Sequence, residues 1–269
     1  MQQKIESLWE DQSLLQTSSE AKTSIEEVIA LLEEGRIRVS EKVGNEWITN
    51  QWIKKAILMY FKIRPMEVIK AGSLEFYDKM KTKSDFESKG IRVVPPAVAR
   101  YGSYIAKGVI LMPSYVNIGA YIDSGTMVDT WATVGSCAQI GRNVHLSGGV
   151  GIGGVLEPLQ ANPVIVEDGA FIGSRCILVE GAVIGEEAVL GAGVTITGST
   201  KIMDVSGEET KHYVGFVPPR SVVIPGTYPK QFPAGIFQVP CALIIGKRKT
   251  STDLKVSLND TLREHQIAV

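Results

Sequence analysis

The sequence predicts a mainly β protein organised around a parallel β-helix, with an α-helical domain before it and a small β tail after it. Three observations carry this. Counting every sixth residue from Val98 gives Tyr104, Ile110, Val116, Ile122, Val128, Val134, Ile140, Leu146 and Ile152, all bulky. The fourth residue after each is small or β-branched, as at Gly102, Gly108, Ser114, Ala120, Thr126, Ala132 and Ala138. The frame then resumes at Val166 and runs through Ile172, Leu178, Ile184, Leu190 and Ile196 to Ile202. A period of six fits neither the 3.6 of a helix nor the 2 of an ordinary strand. It marks a repeat in which each hexad lays down one short strand and a bend, three hexads closing a triangular coil of roughly 18 residues. The aliphatic side chain points into the prism and the small one fits where the coil turns. No coil buries its apolar edge alone, so stacked neighbours supply the stability.

Composition narrows the function classes. A chain of 269 residues with a formal charge of -1 offers no broad attraction to nucleic acid or to a membrane surface. No apolar run approaches the roughly 18 residues of a membrane span, and Met1 to Asp11 is charged and lacks the apolar centre of a signal peptide. Cys137, Cys176 and Cys241 are few, odd in number and far apart, which points to reduced thiols in a cytoplasmic protein. Cys176 fills a small-residue slot of the repeat, where it acts as a small hydrophobe.

Residues 1–90 read as the helical domain. Ser24 caps one helix whose apolar face is Ile25, Val28, Ile29 and Leu32, with Glu27 at capping-box spacing and Gly35 just past the end. A second helix, around Asn50 to Phe61, carries Trp52, Ile53, Ala56, Ile57 and Tyr60 at helical spacing. This domain is expected to cap one end of the prism and cover its strand edges. Residues 91–225 are the β-helix. Arg92 lies one hexad before Val98, where the frame reserves an aliphatic. A guanidinium cannot sit in that core unpaired, so the coil starts later or Arg92 meets an anion. The wider spacing between Ile152 and Val166 makes residues 153–165 an external loop, the kind of insertion that gathers on a binding face. Met203 to His212 is a second, polar departure, and Val214 to Pro225 forms a last irregular coil. Residues 226–269 hold a Pro-rich stretch, a strand from Phe237 to Ile245 and a polar tail. The basic run Lys247, Arg248 and Lys249 reads as solvated surface rather than a phosphate site.

The residues within the repeat go further than its period. RVVPP from Arg92, LMPSYVNIGAY from Leu111, MVDTWATVGSCAQIG from Met127 and VHLSGGVGIGGVLEP from Val144 closely resemble the tetrahydrodipicolinate N-succinyltransferase family. The likeness is strongest from about 91 to 175 and looser at both ends. It implies a left-handed β-helix and a homotrimer with active sites in the clefts between prisms. It also implies transfer of succinyl from succinyl-CoA, a cosubstrate and not a resident cofactor, to the amine of hydrated, ring-opened tetrahydrodipicolinate. No metal is implied.

The chemistry suits the residues. Arg92 offers a bidentate fork to a dicarboxylate acceptor. Asp129 is the candidate base, because the attacking amine must lose its proton; Trp131 offers an apolar wall. Leu111 and Ser147 are expected beside Asp129 on adjacent coils. On its own an aspartate after a coil valine is turn chemistry, and the resemblance is what makes it catalytic. Individual CoA-binding residues are not assigned. One departure stands out: family members carry a glutamate after the stretch matching Phe171-Ile172-Gly173 where this chain has Ile177, and Glu180, the nearest acid, matches another position. His145 reads as structural, and with only His212 and His265 besides a three-histidine zinc site is not expected. The rivals are an acetyl-CoA-dependent sibling acting on the same acceptor and a non-catalytic β-helix scaffold.

Overall fold

The computed structural model describes residues 1–248; Lys249 and His265 lie outside them. The repeat region forms three parallel sheets, the faces of a triangular prism. The first face runs from the strand Val98–Ala99 to Thr195–Ile196 and the second from Tyr104–Ile105 to Phe216–Val217. The third runs from Arg92–Val93 to the long strand Ser221–Phe232. In most coils a strand is two residues long, and its second residue points inward. Val116, Ile122, Val128, Val134, Ile140, Leu146 and Ile152 are all 2% exposed or less and share one core.

The expected frame is out of phase in its first three hexads. Ala99, Ile105 and Leu111 are the buried residues there, while Val98, Tyr104 and Ile110 face outward and are half-buried. The hexad after Leu111 is one residue short, passing through Met112-Pro113-Ser114-Tyr115, and this brings Val116 into frame. Register shows the same slip, since Val128 pairs with Leu111 rather than Ile110 on one side and with Leu146 on the other. Both frames contain bulky residues at Tyr104/Ile105 and Ile110/Leu111, so periodicity alone cannot separate them. The shift also resolves Arg92. Val93 is the inward residue, Arg92 is exposed, and the first coil begins with this strand, paired to Ile110–Leu111.

Most bends place a residue in the left-handed region three positions before the inward residue. Gly102, Gly108, Gly119 and Gly125 hold it with φ between 71° and 84°. Glycine meets this at no steric cost. Further along, Trp131, Cys137, Asn143, Arg175 and Glu187 take the same place in some coils, and Gly149, Gly169, Gly181 and Gly193 in others.

The N-terminal domain contains α1 (Gln2–Glu10), α2 (Leu14–Thr17), α3 (Ser19–Glu33) and α4 (Gln51–Ile63). α3 starts a turn and a half earlier than expected. Ser18 is its cap, its Oγ accepting from the Ala21 N–H at 3.2 Å, whereas Ser24 lies inside and donates to the Glu20 carbonyl at 2.8 Å. The apolar face already includes Ala21, and that burial overrides the capping-box spacing at Ser24. Gly35 ends the helix as expected, at φ 70°, with the Arg36 N–H bonded to the Leu31 carbonyl. Two hairpins interrupt this otherwise helical segment: β1 (Ser40–Val43) with β2 (Glu46–Thr49), and β3 (Glu67–Ala71) with β4 (Leu74–Asp78).

The domain packs along the edge between the first and second faces instead of over the end of the prism. Corner residues Ile118 and Cys137 complete its core, beside Ile25, Ile29, Ile53 and Ile57. The insertion between the strands Gly151–Ile152 and Ile165–Val166 is tied to the same domain. Lys54, fully buried, donates its Nζ to the carbonyls of Pro158, Leu159 and Ala161 at 2.9–3.0 Å. Burial lowers its pKa. Lys54→Met keeps the bulk and strands three carbonyls, so it is expected to destabilise the fold by about 3 kcal/mol, a fall in Tm of roughly 6–12 °C by calorimetry. An unchanged Tm would mean that the loop does not depend on this lysine.

At the far end, Phe216–Val217 and the start of Ser221–Phe232 close the last coil, and Lys201–Asp204 pairs with Lys211–Val214 as a hairpin. The Pro-rich stretch is itself strand: Ser221–Phe232 runs antiparallel to Gly235–Lys247. Pro225, Pro229 and Pro240 sit on alternate pairs of this ladder, opposite Ala242, Gln238 and Thr227, so all three fall on one parity, where no ladder N–H is required. The basic residues here are structural. Lys247 Nζ donates to Ser221 Oγ at 2.9 Å and Arg248 Nη1 to the Gly169 carbonyl at 3.0 Å.

Candidate active site

The bends between the third and first faces stack into one edge. Successive coils place there Met112-Pro113, then Asp129-Thr130-Trp131, Ser147-Gly148-Gly149, Gly173-Ser174-Arg175 and Gly191-Ala192-Gly193. Asp129 is half-buried, its N–H bonded to the Leu146 carbonyl at 2.9 Å. Its Oδ1 accepts from the Thr130 N–H at 2.7 Å and the Thr130 hydroxyl at 3.2 Å. The turn chemistry is therefore real, and it occupies only one of the two carboxylate oxygens. Among the described residues, no hydrogen bond engages Oδ2. Ser147 lies beside Asp129 as expected. On the other side the neighbour is Met112 and not Leu111, a consequence of the short hexad.

Trp131 stands at φ 61° with 66% of its surface exposed, its N–H anchored on the Pro113 carbonyl. A bulky residue in the left-handed region is uncommon and strained. Arg92 is on the third face, two coils from Asp129, roughly 10 Å along the prism axis at ordinary strand spacing. The fold thus brings Asp129 and Trp131 onto one bend and leaves Arg92 at the end of the same face.

The edge also presents a cation that the sequence reading missed. At its left-handed positions the coils carry Trp131, Gly149, Arg175 and Gly193. Arg175 is exposed and leans back over Gly149: a Cβ on that glycine would lie 2.8 Å from the arginine Cδ and Nε. Its guanidinium makes no ion pair or hydrogen bond among the described residues. Ile177, 38% exposed, leans the same way over Gly151 on the first face. The signal was available: an arginine in a bend slot that neighbouring coils fill with glycine. Glu180 occupies the next bend, between the first and second faces, at φ 55°.

The remaining candidates are packed. The His145 ring stacks on Phe171 with centroids 5.0 Å apart. All three cysteines are buried free thiols. Burial pushes Cys137 up to about 12 and Cys176 up to about 11, so neither carries a reactive thiolate. Among the described residues no helix is long and apolar enough to cross a membrane.

Residues 1–63 match the family model described as tetrahydrodipicolinate N-succinyltransferase N-terminal, and residues 163–198 match that of the hexapeptide repeat of succinyl-transferase. The 2,3,4,5-tetrahydropyridine-2,6-dicarboxylate N-succinyltransferase of Cupriavidus necator is 54% identical over 273 residues, covering 98% of each chain. The chain belongs to the tetrahydrodipicolinate N-succinyltransferase family. The Acinetobacter baylyi enzyme of that name is 55% identical over 251 residues, 91% of this chain and 90% of its own. That of Bordetella avium is 53% identical over 273 residues, again 98% of each. Family membership leaves Asp129, Arg92, Trp131 and Arg175 to be placed by their geometry.

Proposed function

We propose that this chain transfers the succinyl group of succinyl-CoA to the amine of hydrated, ring-opened tetrahydrodipicolinate. The products are N-succinyl-2-amino-6-oxopimelate and free CoA, in the succinylase route to diaminopimelate and lysine. The observation that carries this reading is identity above 50% over nearly the whole chain to enzymes of that name. It is supported by a carboxylate, Asp129, with one oxygen fixed and the other unengaged on the stacked edge.

The amine lone pair attacks the thioester carbonyl, and Asp129 Oδ2 accepts the proton that the nitrogen gives up. Collapse of the tetrahedral intermediate breaks the C–S bond, and the proton leaves with the CoA thiol. Holding amine and thioester together supplies much of the remaining rate. Arg92 suits a carboxylate of the acceptor, Trp131 walls the cleft, and Arg175 suits the free carboxylate of the succinyl group. The assembly is a homotrimer with sites between neighbouring prisms, acting in the cytoplasm on small molecules, without a resident cofactor or metal.

The deciding measurement is release of free thiol from succinyl-CoA with and without the acceptor, repeated with acetyl-CoA. Acceptor-dependent release that prefers succinyl-CoA is expected. Preference for acetyl-CoA would make the chain an N-acetyltransferase, and no release from a folded protein would leave a scaffold.

A further inference from the structure

Arg38 is held in a manner that succinyl transfer does not require. It lies between α3 and β1, against the second face of the prism. Its guanidinium stacks on the Tyr121 ring, 3.6 Å from the centroid, and lies 5.8 Å from that of Trp47. Its Nε donates to Gln139 Oε1 at 3.0 Å. Gln139, only 1% exposed, is itself fixed by donating Nε2 to the Cys137 carbonyl at 2.9 Å. The two Nη nitrogens take no hydrogen bond among the described residues, and Arg38 borders a cavity of about 330 Å³ between the β1–β2 hairpin and the prism.

The other charges around this cavity largely cancel. Lys42 Nζ is 2.7 Å from Glu167 Oε1, which also accepts from Trp47 Nε1, while Glu167 Oε2 accepts from the Glu186 N–H at 3.1 Å. Arg142 grips Asp168 through its side chain at 2.9–3.0 Å and through its backbone N–H at 2.8 Å. Asp123 has only Oδ1 engaged, by the Ser124 N–H at 2.7 Å. What remains is one preorganised guanidinium fork and, on the same cavity and close enough to attract it, one oxygen of Asp123; the charges of Glu41 and Asp168 also act on Arg38 without a hydrogen bond to it. Glu186 adds an exposed negative charge at the rim. A half-buried guanidinium without a hydrogen-bonding anion is costly, and a fork fixed in advance binds a carboxylate with little further loss of freedom.

We propose that this cavity binds a small α-amino acid as its zwitterion, carboxylate on the Arg38 fork and ammonium on Asp123. The site is distinct from the Asp129 edge: Asp123 lies on the bend between the second and third faces, one full face of the prism earlier. A ligand there touches both the N-terminal domain and the prism and so couples its own concentration to how firmly the two are joined.

Thermal unfolding of the intact protein tests this, with L-alanine and L-lysine as probes and acetate and methylamine as single-charge controls. For a Kd near 1 mM, 10 mM amino acid is expected to raise Tm by roughly 3–6 °C, with no rise from either control. Arg38→Gln and Asp123→Asn should each abolish the rise. Asp123→Asn keeps the acceptor for the Ser124 N–H and therefore the bend, so it decides the matter if Arg38→Gln folds poorly. No rise with either amino acid, an equal rise with acetate alone, or a rise that survives Asp123→Asn would overturn the proposal.

Discussion

Asp129→Asn is expected to lower kcat by roughly 10²–10⁴-fold while leaving Tm within about 1 °C of the parent. The separation follows from how the two carboxylate oxygens are used. Oδ1 accepts the Thr130 N–H and hydroxyl and shapes the bend. An asparagine retains that oxygen, so the bend and the ladder bond from the residue 129 N–H to the Leu146 carbonyl persist. The substitution changes Oδ2, the atom proposed to take the proton of the amine. Replacing it with an NH₂ group puts a donor where an acceptor is needed and leaves no base. Asp129→Ala would confound the two roles, because it removes the bend's acceptor as well. Steady-state kinetics with saturating acceptor, beside calorimetry on the same preparations, reads both quantities. A variant with near-parental kcat would remove Asp129 from the chemistry and reduce it to the turn residue that its local sequence suggests.

Much of the architecture was legible because a hexapeptide prism writes its burial pattern directly into the chain. From Val116 to Ile152, and again from Val166, every sixth residue is inward. The exceptions have a physical cause. At Tyr104-Ile105 and Ile110-Leu111 two adjacent bulky residues make both phases equally apolar, and only the one-residue deletion around Met112 shows which is inside. Arg92 looked like a charge in the core for the same reason. At Ser24, spacing cannot tell a capping serine from one whose hydroxyl bonds back to the preceding turn. The β1–β2 and β3–β4 hairpins are short and largely exposed, so burial leaves little alternation in their sequence. At the site, the family resemblance points to Asp129 and Trp131. It does not single out Arg175, whose significance depends on Gly149 in the preceding coil, an adjacency that exists only once the coils stack.

Arg175→Gly follows from this adjacency and should separate the donors. Arg175 holds φ 61°, a conformation in which glycine is unstrained, and Gly149 and Gly193 already occupy the equivalent bends. The variant is therefore expected to fold at least as stably as the parent, so a loss of activity cannot be assigned to a damaged coil. The guanidinium it removes leans over Gly149 toward the coil of Asp129 and Trp131, where the proposed reaction puts the acyl chain of the donor. A hydrogen-bonded charge pair of this kind contributes about 1.5–3 kcal/mol. kcat/KM for succinyl-CoA is accordingly expected to fall roughly 10- to 150-fold, while the lower value for acetyl-CoA, which has no free carboxylate, should barely move. Arg175→Lys keeps the charge without the fork and should fall between. Equal losses with both donors would instead place Arg175 against the phosphates of CoA, which the two share.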